Sequence, residues 1–209
     1  MVTLAEAHTH LLDVLNKLGQ ADHADHQLVL AHCRLQPFDS GQHLYRPGQA
    51  AKDVYFVHSG LVRVFNVTDS GHKEFNKSFV SEGQFVGPLV SPLRTQASPY
   101  HIQTLEHCEV LVIARAALDE LYQRSIVWAN IGRLYMEHLA ITKEQREAQL
   151  LTGTAEQRYV RFLRESPQLI DRVPLYHIAS YLGVTDVALS RIRRRLNPDL
   201  LNPDLLNPG

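Results

Sequence analysis

Thiols, indoles and long apolar runs are scarce in this chain of 209 residues. Cys33 and Cys108 are its two cysteines. They are too few for a disulfide framework, lack the spacing of a zinc or iron–sulfur cluster, and read as small apolar core residues. No apolar run approaches the roughly 18 residues needed to cross a bilayer, so no membrane-spanning helix is expected. The opening MVTLAEAHTHLLDVLNKLG has neither a basic start nor a small-residue cleavage site. Its Leu4, Leu11, Leu12, Leu15 and Leu18 recur at helical intervals, so a leading amphipathic helix over 1–19 and a cytoplasmic location are expected.

Catalytic patterns are missing as well. There is no Ser/His/Asp arrangement, Gly-rich phosphate loop or paired-carboxylate signature, and no enzyme is expected. A cupin-like metal-binding protein, the competing reading, needs histidines and a glutamate on neighbouring strands, yet the one His-x-His, His8 and His10, falls in the leading helix. His23 and His26, with His32 and Cys33 close behind, lie among Asp22, Asp25 and polar spacers, which reads as an exposed loop or capping region rather than a metal site. No metal and no definite cofactor is expected.

Charge is nearly balanced overall, at −1, but not along the chain. Residues 158–195 hold eight arginines against Glu165, Asp171 and Asp186. A basic segment in an otherwise neutral to acidic chain is the footprint of phosphate contact.

That segment contains PLYHIASYLGVTDVALSRIRRRL, from Pro174 to Leu196. Ala179 lets two helices approach, Gly183 suits a left-handed turn, and Thr185 can cap the second helix. Leu189 and Ile192 face inward, which leaves Val187, Ser190, Arg191 and Arg194 on the outer face, the surface a DNA-reading helix offers to a major groove.

Upstream, from about Cys33 to Ile113, the period is alternating. CRLQPFD, QHLYR, DVYFVHSG, LVRVFNV, EFNKSFV, FVG, HIQTL and CEVLVIA are predicted strands, separated by Pro47-Gly48, Ser59-Gly60, Ser70-Gly71 and Glu82-Gly83. Many short strands at this spacing predict an antiparallel barrel or jelly roll, so the fold class is α+β. ARAALDELYQRS is then helical, followed by a longer helix from Ile126 to about Gln149 with two apolar faces: Val127, Ile131, Leu134 and Ile141 on one, Trp128, Tyr135, Met136 and Leu139 towards the other. Two faces predict packing on the chain's own barrel and on a symmetry mate, the alternative being a helix buried within one subunit. A hinge is expected at Leu151-Thr152-Gly153, and Thr154 can cap a further helix through Leu163. The tail LNPDLLNPDLLNPG places a proline in each repeat, which prevents regular helix.

With these elements placed, the chain resembles the Crp/Fnr family of bacterial transcription regulators over about residues 20–196, through YRPGQAAKDVYFVHSGLVRVF, EGQFVG, CEVLVIARAALDEL and IASYLGVTDVALSRI. Between the leading helix over 1–19 and the tail over 197–209, the resemblance implies a cyclic-nucleotide-binding-like β-roll over 20–124, a dimerisation helix over 125–150, on which the apolar face of Val127, Ile131, Leu134 and Ile141 falls, and a helix-turn-helix domain over 151–196. Double-stranded DNA, a second copy of the chain and RNA polymerase are the implied partners. Thr185, Asp186, Val187, Ser190, Arg191, Arg193, Arg194 and Arg195 are the implied DNA contacts; Arg191 holds the position of a base-reading arginine in the family.

The resemblance is weakest at the effector site, placed at Phe85, Gly87, Pro88, Leu89, Arg94, Thr95 and Ser98. Family members that bind cyclic nucleotide carry a glutamate after the glycine and an arginine before a serine or threonine. Here Pro88 follows Gly87, Ala97 or Ser98 stands at the arginine position, and Arg94-Thr95 is out of register. The expectation is an unidentified small-molecule effector other than cyclic AMP, the alternative being cyclic-nucleotide binding through a shifted cassette. The proline-rich tail offers no β-hairpin wing.

Overall fold

The computed structural model describes residues 2–19, 23–50, 52–68, 71, 73–87 and 99–196. Of the sequence-based assignments, Pro88, Leu89, Arg94, Thr95, Ser98, the turn at Asp69-Ser70 and the tail over 197–209 lie outside the described residues. The chain forms two compact units. One holds residues up to Val67 and Lys77–Ile141; the other holds Thr68–Asn76 and the chain from Thr142 onward.

All eight predicted strands form, and they lie in the first unit except for Glu74–Asn76 at the start of the fifth. β1 (Cys33–Phe38), β8 (Cys108–Ala114), β3 (Asp53–Ser59) and β6 (Phe85–Val86) pair in that order, as do β2 (His43–Tyr45), β7 (His101–Thr104), β4 (Val62–Val67) and β5 (Glu74–Val80). Pairing is antiparallel, with Tyr55 opposite Val112 and Val64 opposite Ile102. Strand alternation sorts the apolar residues into two clusters. Tyr55, Val57, Val62, Val64, Ile102, Val110 and Val112 fill the space between the sheets. Phe56, Leu111 and Ile113 face the other way, onto helices. β8 is covered on both faces, which is why Val110–Ala114 is apolar without a break rather than alternating. Gly60 closes the β3–β4 turn at φ +98, where a Cβ would come within 2.5 Å of the His107 carbonyl oxygen; only glycine fits there.

Three helices cover the outer face. α1 (Leu4–Leu18) starts with a capping box, Thr3 Oγ1 accepting from the Glu6 amide and the Glu6 carboxylate from the Thr3 amide, and it buries Ala7, Leu11 and Leu15. α2 (His23–Ala31) is a helix where the sequence reads as loop; its Val29 enters the same cluster. α3 (Arg115–Arg124) buries Ala117, Leu118 and Leu121. The cysteines are inert: burial pushes the Cys33 thiol up to about 12, and Cys108 is fully buried.

α4 (Ile126–Thr152) runs through both units. In the second unit α5 (Ala155–Glu165) begins at a Thr154–Gln157 capping box and buries Tyr159, Phe162 and Leu163. A single 3-10 turn at Pro167–Leu169 leads to α6 (Leu175–Leu182) and α7 (Asp186–Leu196). α5 runs two residues beyond the expected Leu163 and ends before Ser166-Pro167.

Candidate nucleic-acid interface

The α6–α7 turn forms for the local reasons the sequence suggests. Gly183 takes the left-handed conformation, φ 68 and ψ 34, and the Val184 amide donates back to the Ala179 carbonyl, closing the end of α6. Thr185 Oγ1 accepts from the Ala188 amide at 3.2 Å, capping α7. Asp186 in the first turn and Arg193 to Arg195 in the last both suit the helix dipole.

Leu189 and Ile192 are buried. Around them Val187 is 61% exposed, Arg191, Arg193, Arg194 and Arg195 are exposed, and Ser190 is half-buried. The arginines differ in what they already hold. Arg195 pairs with Glu156 of α5. Arg193 hydrogen-bonds the Tyr159 hydroxyl, partly offsetting the upward push that burial gives that group. Arg191 and Arg194 have no partner among the described residues.

Two of the upstream arginines of the basic segment, Arg158 and Arg161, are engaged with their own unit. Arg158 donates to the Leu182 carbonyl at 2.9 Å and the Gly153 carbonyl at 2.7 Å, and Arg161 pairs with Glu165. Arg146, which the sequence does not single out, stacks on Tyr181, 3.6 Å from the ring centroid, and donates to the Tyr181 carbonyl. Two guanidinium groups thus satisfy the open C-terminal carbonyls of α6, where a cation is favoured. Their signal in sequence is only a positive count, and counting overstates the charge left for phosphate.

Two sets of residues lie elsewhere than the sequence leads one to expect. Phe85 does not face the space between the sheets: it packs on Phe56 and Tyr135, with ring centroids 5.0 and 5.4 Å apart, and Val86 takes the inward place. Tyr135, its hydroxyl pushed up to about 12 by burial, donates to the Phe85 carbonyl at 2.9 Å. Strand alternation is the reason. Gly87 lies against strand β3, where a Cβ would be 3.3 Å from Val54 Cα. On α4, Ile131 is buried with Trp128, and Val127 packs against the same cluster. Only Leu134 and Ile141 of the four expected dimer residues are exposed, joined by Ile126 at 76%. At about 100° per residue, Ile131 falls roughly 40° from Val127 towards Trp128, while Leu134 falls roughly 20° the other way.

Comparison with known proteins agrees with this geometry. Residues 35–125 match the cyclic nucleotide-binding domain family. The chain is 31% identical to the transcriptional activator protein FnrA of Stutzerimonas stutzeri over 176 residues, 78% of this chain and 70% of that protein. It is likewise 31% identical to the transcriptional activator protein Anr of Pseudomonas protegens over 182 residues, 80% of this chain and 72% of that one. Among solved structures, FixK2 of Bradyrhizobium japonicum superposes with a TM-score of 0.69 at 20% identity, covering 79% of this chain and 85% of that one. The c-di-GMP responsive regulator CLP of Xanthomonas campestris gives 0.67 at 22% identity, covering 86% and 94%. At those identities the two structures speak for the fold.

Proposed function

This chain belongs to the Crp/Fnr family of DNA-binding transcription regulators, and from that premise we propose that α7 reads the major groove of a two-fold symmetric operator. The observation that carries the reading is the division of α7 into a buried pair, Leu189 and Ile192, and an outer face of Val187, Ser190, Arg191 and Arg194. Recognition helices make base contacts near their N-termini, which brings Thr185 and Asp186 into the set. Arg191, unpaired among the described residues and one turn beyond Val187, is assigned a bidentate contact to guanine. Arg194 is assigned to phosphate. Arg195 reaches phosphate by exchanging its exposed ion pair with Glu156, at a cost of about 0–1 kcal/mol, and Arg193 by giving up its hydrogen bond to the Tyr159 hydroxyl, worth about 0.5–1.5 kcal/mol net.

The test is selection of duplexes from a random pool. Wild type is expected to enrich a symmetric sequence with half-sites about 34 Å apart, Arg191→Ala to relax one base per half-site, and Arg194→Ala to weaken all sequences alike. A wild type that enriches nothing overturns the reading.

The stripe of Ile126, Leu134 and Ile141 supports a homodimer through α4 within the segment 125–150, with 20–124 as sensor and 151–196 as DNA-binding region. Ile141→Glu is expected to sediment as a monomer at micromolar concentration where wild type is a dimer. The sensor answers to an effector other than cyclic AMP, because Pro88 stands where a ribose-binding carboxylate belongs. Losing two charge-assisted hydrogen bonds, each about 1.5–3 kcal/mol, costs two orders of magnitude or more in affinity. Calorimetry giving low-micromolar cyclic AMP binding that Arg94→Ala abolishes would establish the shifted cassette instead. Among the described residues no helix is long and apolar enough to cross a membrane, and access to chromosomal DNA assigns the protein to the cytoplasm. RNA polymerase is included as a partner on family membership alone.

A further inference from the structure

Four polar residues are buried in the described chain, and two of them, Asn76 and His177, contact each other across 101 residues of sequence. Asn76 lies near the start of β5, in the short stretch 68–76 that belongs to the same compact unit as α5, α6 and α7. Its Nδ2 is 3.1 Å from His177 Nδ1 and donates to the His177 carbonyl at 3.3 Å. An amide nitrogen only donates, so Nδ1 is the accepting nitrogen of that ring. Ser180, one turn on, continues the joint: its hydroxyl accepts from the Asn76 amide at 3.0 Å and donates to the Glu74 carbonyl at 2.9 Å. From α4, Arg146 Nη2 reaches both the Tyr181 carbonyl and, at 3.5 Å, that of Asn76.

Stability alone does not account for this choice of residues. Asn76 Oδ1 is buried with no hydrogen-bond partner among the described residues, a cost that an apolar pair of similar size would avoid. What directional bonds supply and apolar contact does not is a single allowed position. Here the element so fixed is α6, which carries α7 across the three-residue turn Gly183–Thr185.

We propose that Asn76 and His177 are positioning residues for DNA recognition: the 74–76 stretch holds α6, and through it α7, in the orientation that fits the groove, without touching DNA. The proposal rests on the DNA-reading assignment of α7. Loosening the joint leaves α7 to be ordered at the moment of binding, and affinity falls by that cost.

A double-mutant cycle in the full-length protein tests it. Asn76→Ala, His177→Ala and the double variant are measured by anisotropy on the duplex that wild type selects, and by hydrogen–deuterium exchange without DNA. Each single change is expected to lower affinity about tenfold with the selected sequence unchanged, a coupling of ordinary size, and to speed exchange in α6 and α7. The double variant should lose no more than either single one. Losses that multiply, affinity equal to wild type, or a lowered melting temperature with affinity intact would each overturn the proposal. Should His177→Ala not fold, Ser180→Ala removes the neighbouring bonds and takes its place in the cycle. If wild type selects no duplex, the DNA-reading assignment fails and the exchange arm decides the joint: unchanged protection of α6 in Asn76→Ala overturns it.

Discussion

Strand β8 presents Cys108, Val110 and Val112 to one apolar cluster and Leu111 and Ile113 to another, whereas α7 buries Leu189 and Ile192 and leaves a polar and basic face open. A residue of β8 therefore has neighbours to lose whichever way it points, and a residue of α7 has them only on one side. Side chains around β8 thus act through folding free energy, and those on the outer face of α7 through binding free energy.

The largest stability effect is expected from Phe56→Ala. Phe56 is fully buried against Phe85 and His10, and the expected loss is about 3–5 kcal/mol of stability in a denaturant melt. Next comes Arg191→Ala, expected to cost about 1–3 kcal/mol of operator affinity with an unchanged melt. Thr185→Ala falls on the boundary: the loss of the bond to the Ala188 amide should cost about 1 kcal/mol of stability and lower affinity with it.

The smallest effect is expected from a histidine pair in the first unit. His10 on α1 and His58 on β3 have Nδ1 atoms 3.2 Å apart, so one ring donates to the other. Burial, then the His58 charge, hold His10 below its ordinary value of 6.5, against the opposing pull of Asp13 and Glu82. The folded state therefore favours neutral His10. Its contribution is fully present above the unfolded value and is lost as pH falls from there through the lowered folded value. Acidification from pH 7 to 5 should lower the stability of the first unit gently, and His10→Gln should flatten that slope; a slope unchanged by His10→Gln would assign the acid sensitivity elsewhere.

All eight strands were legible because alternation and Gly-containing turns are local signals, and the α6–α7 turn because Gly183, Thr185, Leu189 and Ile192 each have a single steric duty. α2 was not, since HADHQLVLA is polar at its start and short of a clear apolar stripe. The faces of α4 were legible in number but not in membership, because Ile131 and Leu134 straddle the boundary between them. The pairing of Asn76 with His177, and the commitment of Arg146 and Arg158 to carbonyls of α6, leave no trace in spacing. They depend on which segments meet, and at a distance of 101 residues no periodicity links them.

Trp128 is the chain's one tryptophan, and it lies buried in the helix-side cluster of the first unit. Intrinsic indole emission is therefore blind to the helix-turn-helix. An unfolding curve followed at the indole reports only the first unit, while far-ultraviolet dichroism sums the helices of both. Should the two curves fail to coincide, the gap measures the independence of two units rather than an intermediate of one, and a tryptophan placed in α5 at Phe162 would give the second unit an optical signal of its own.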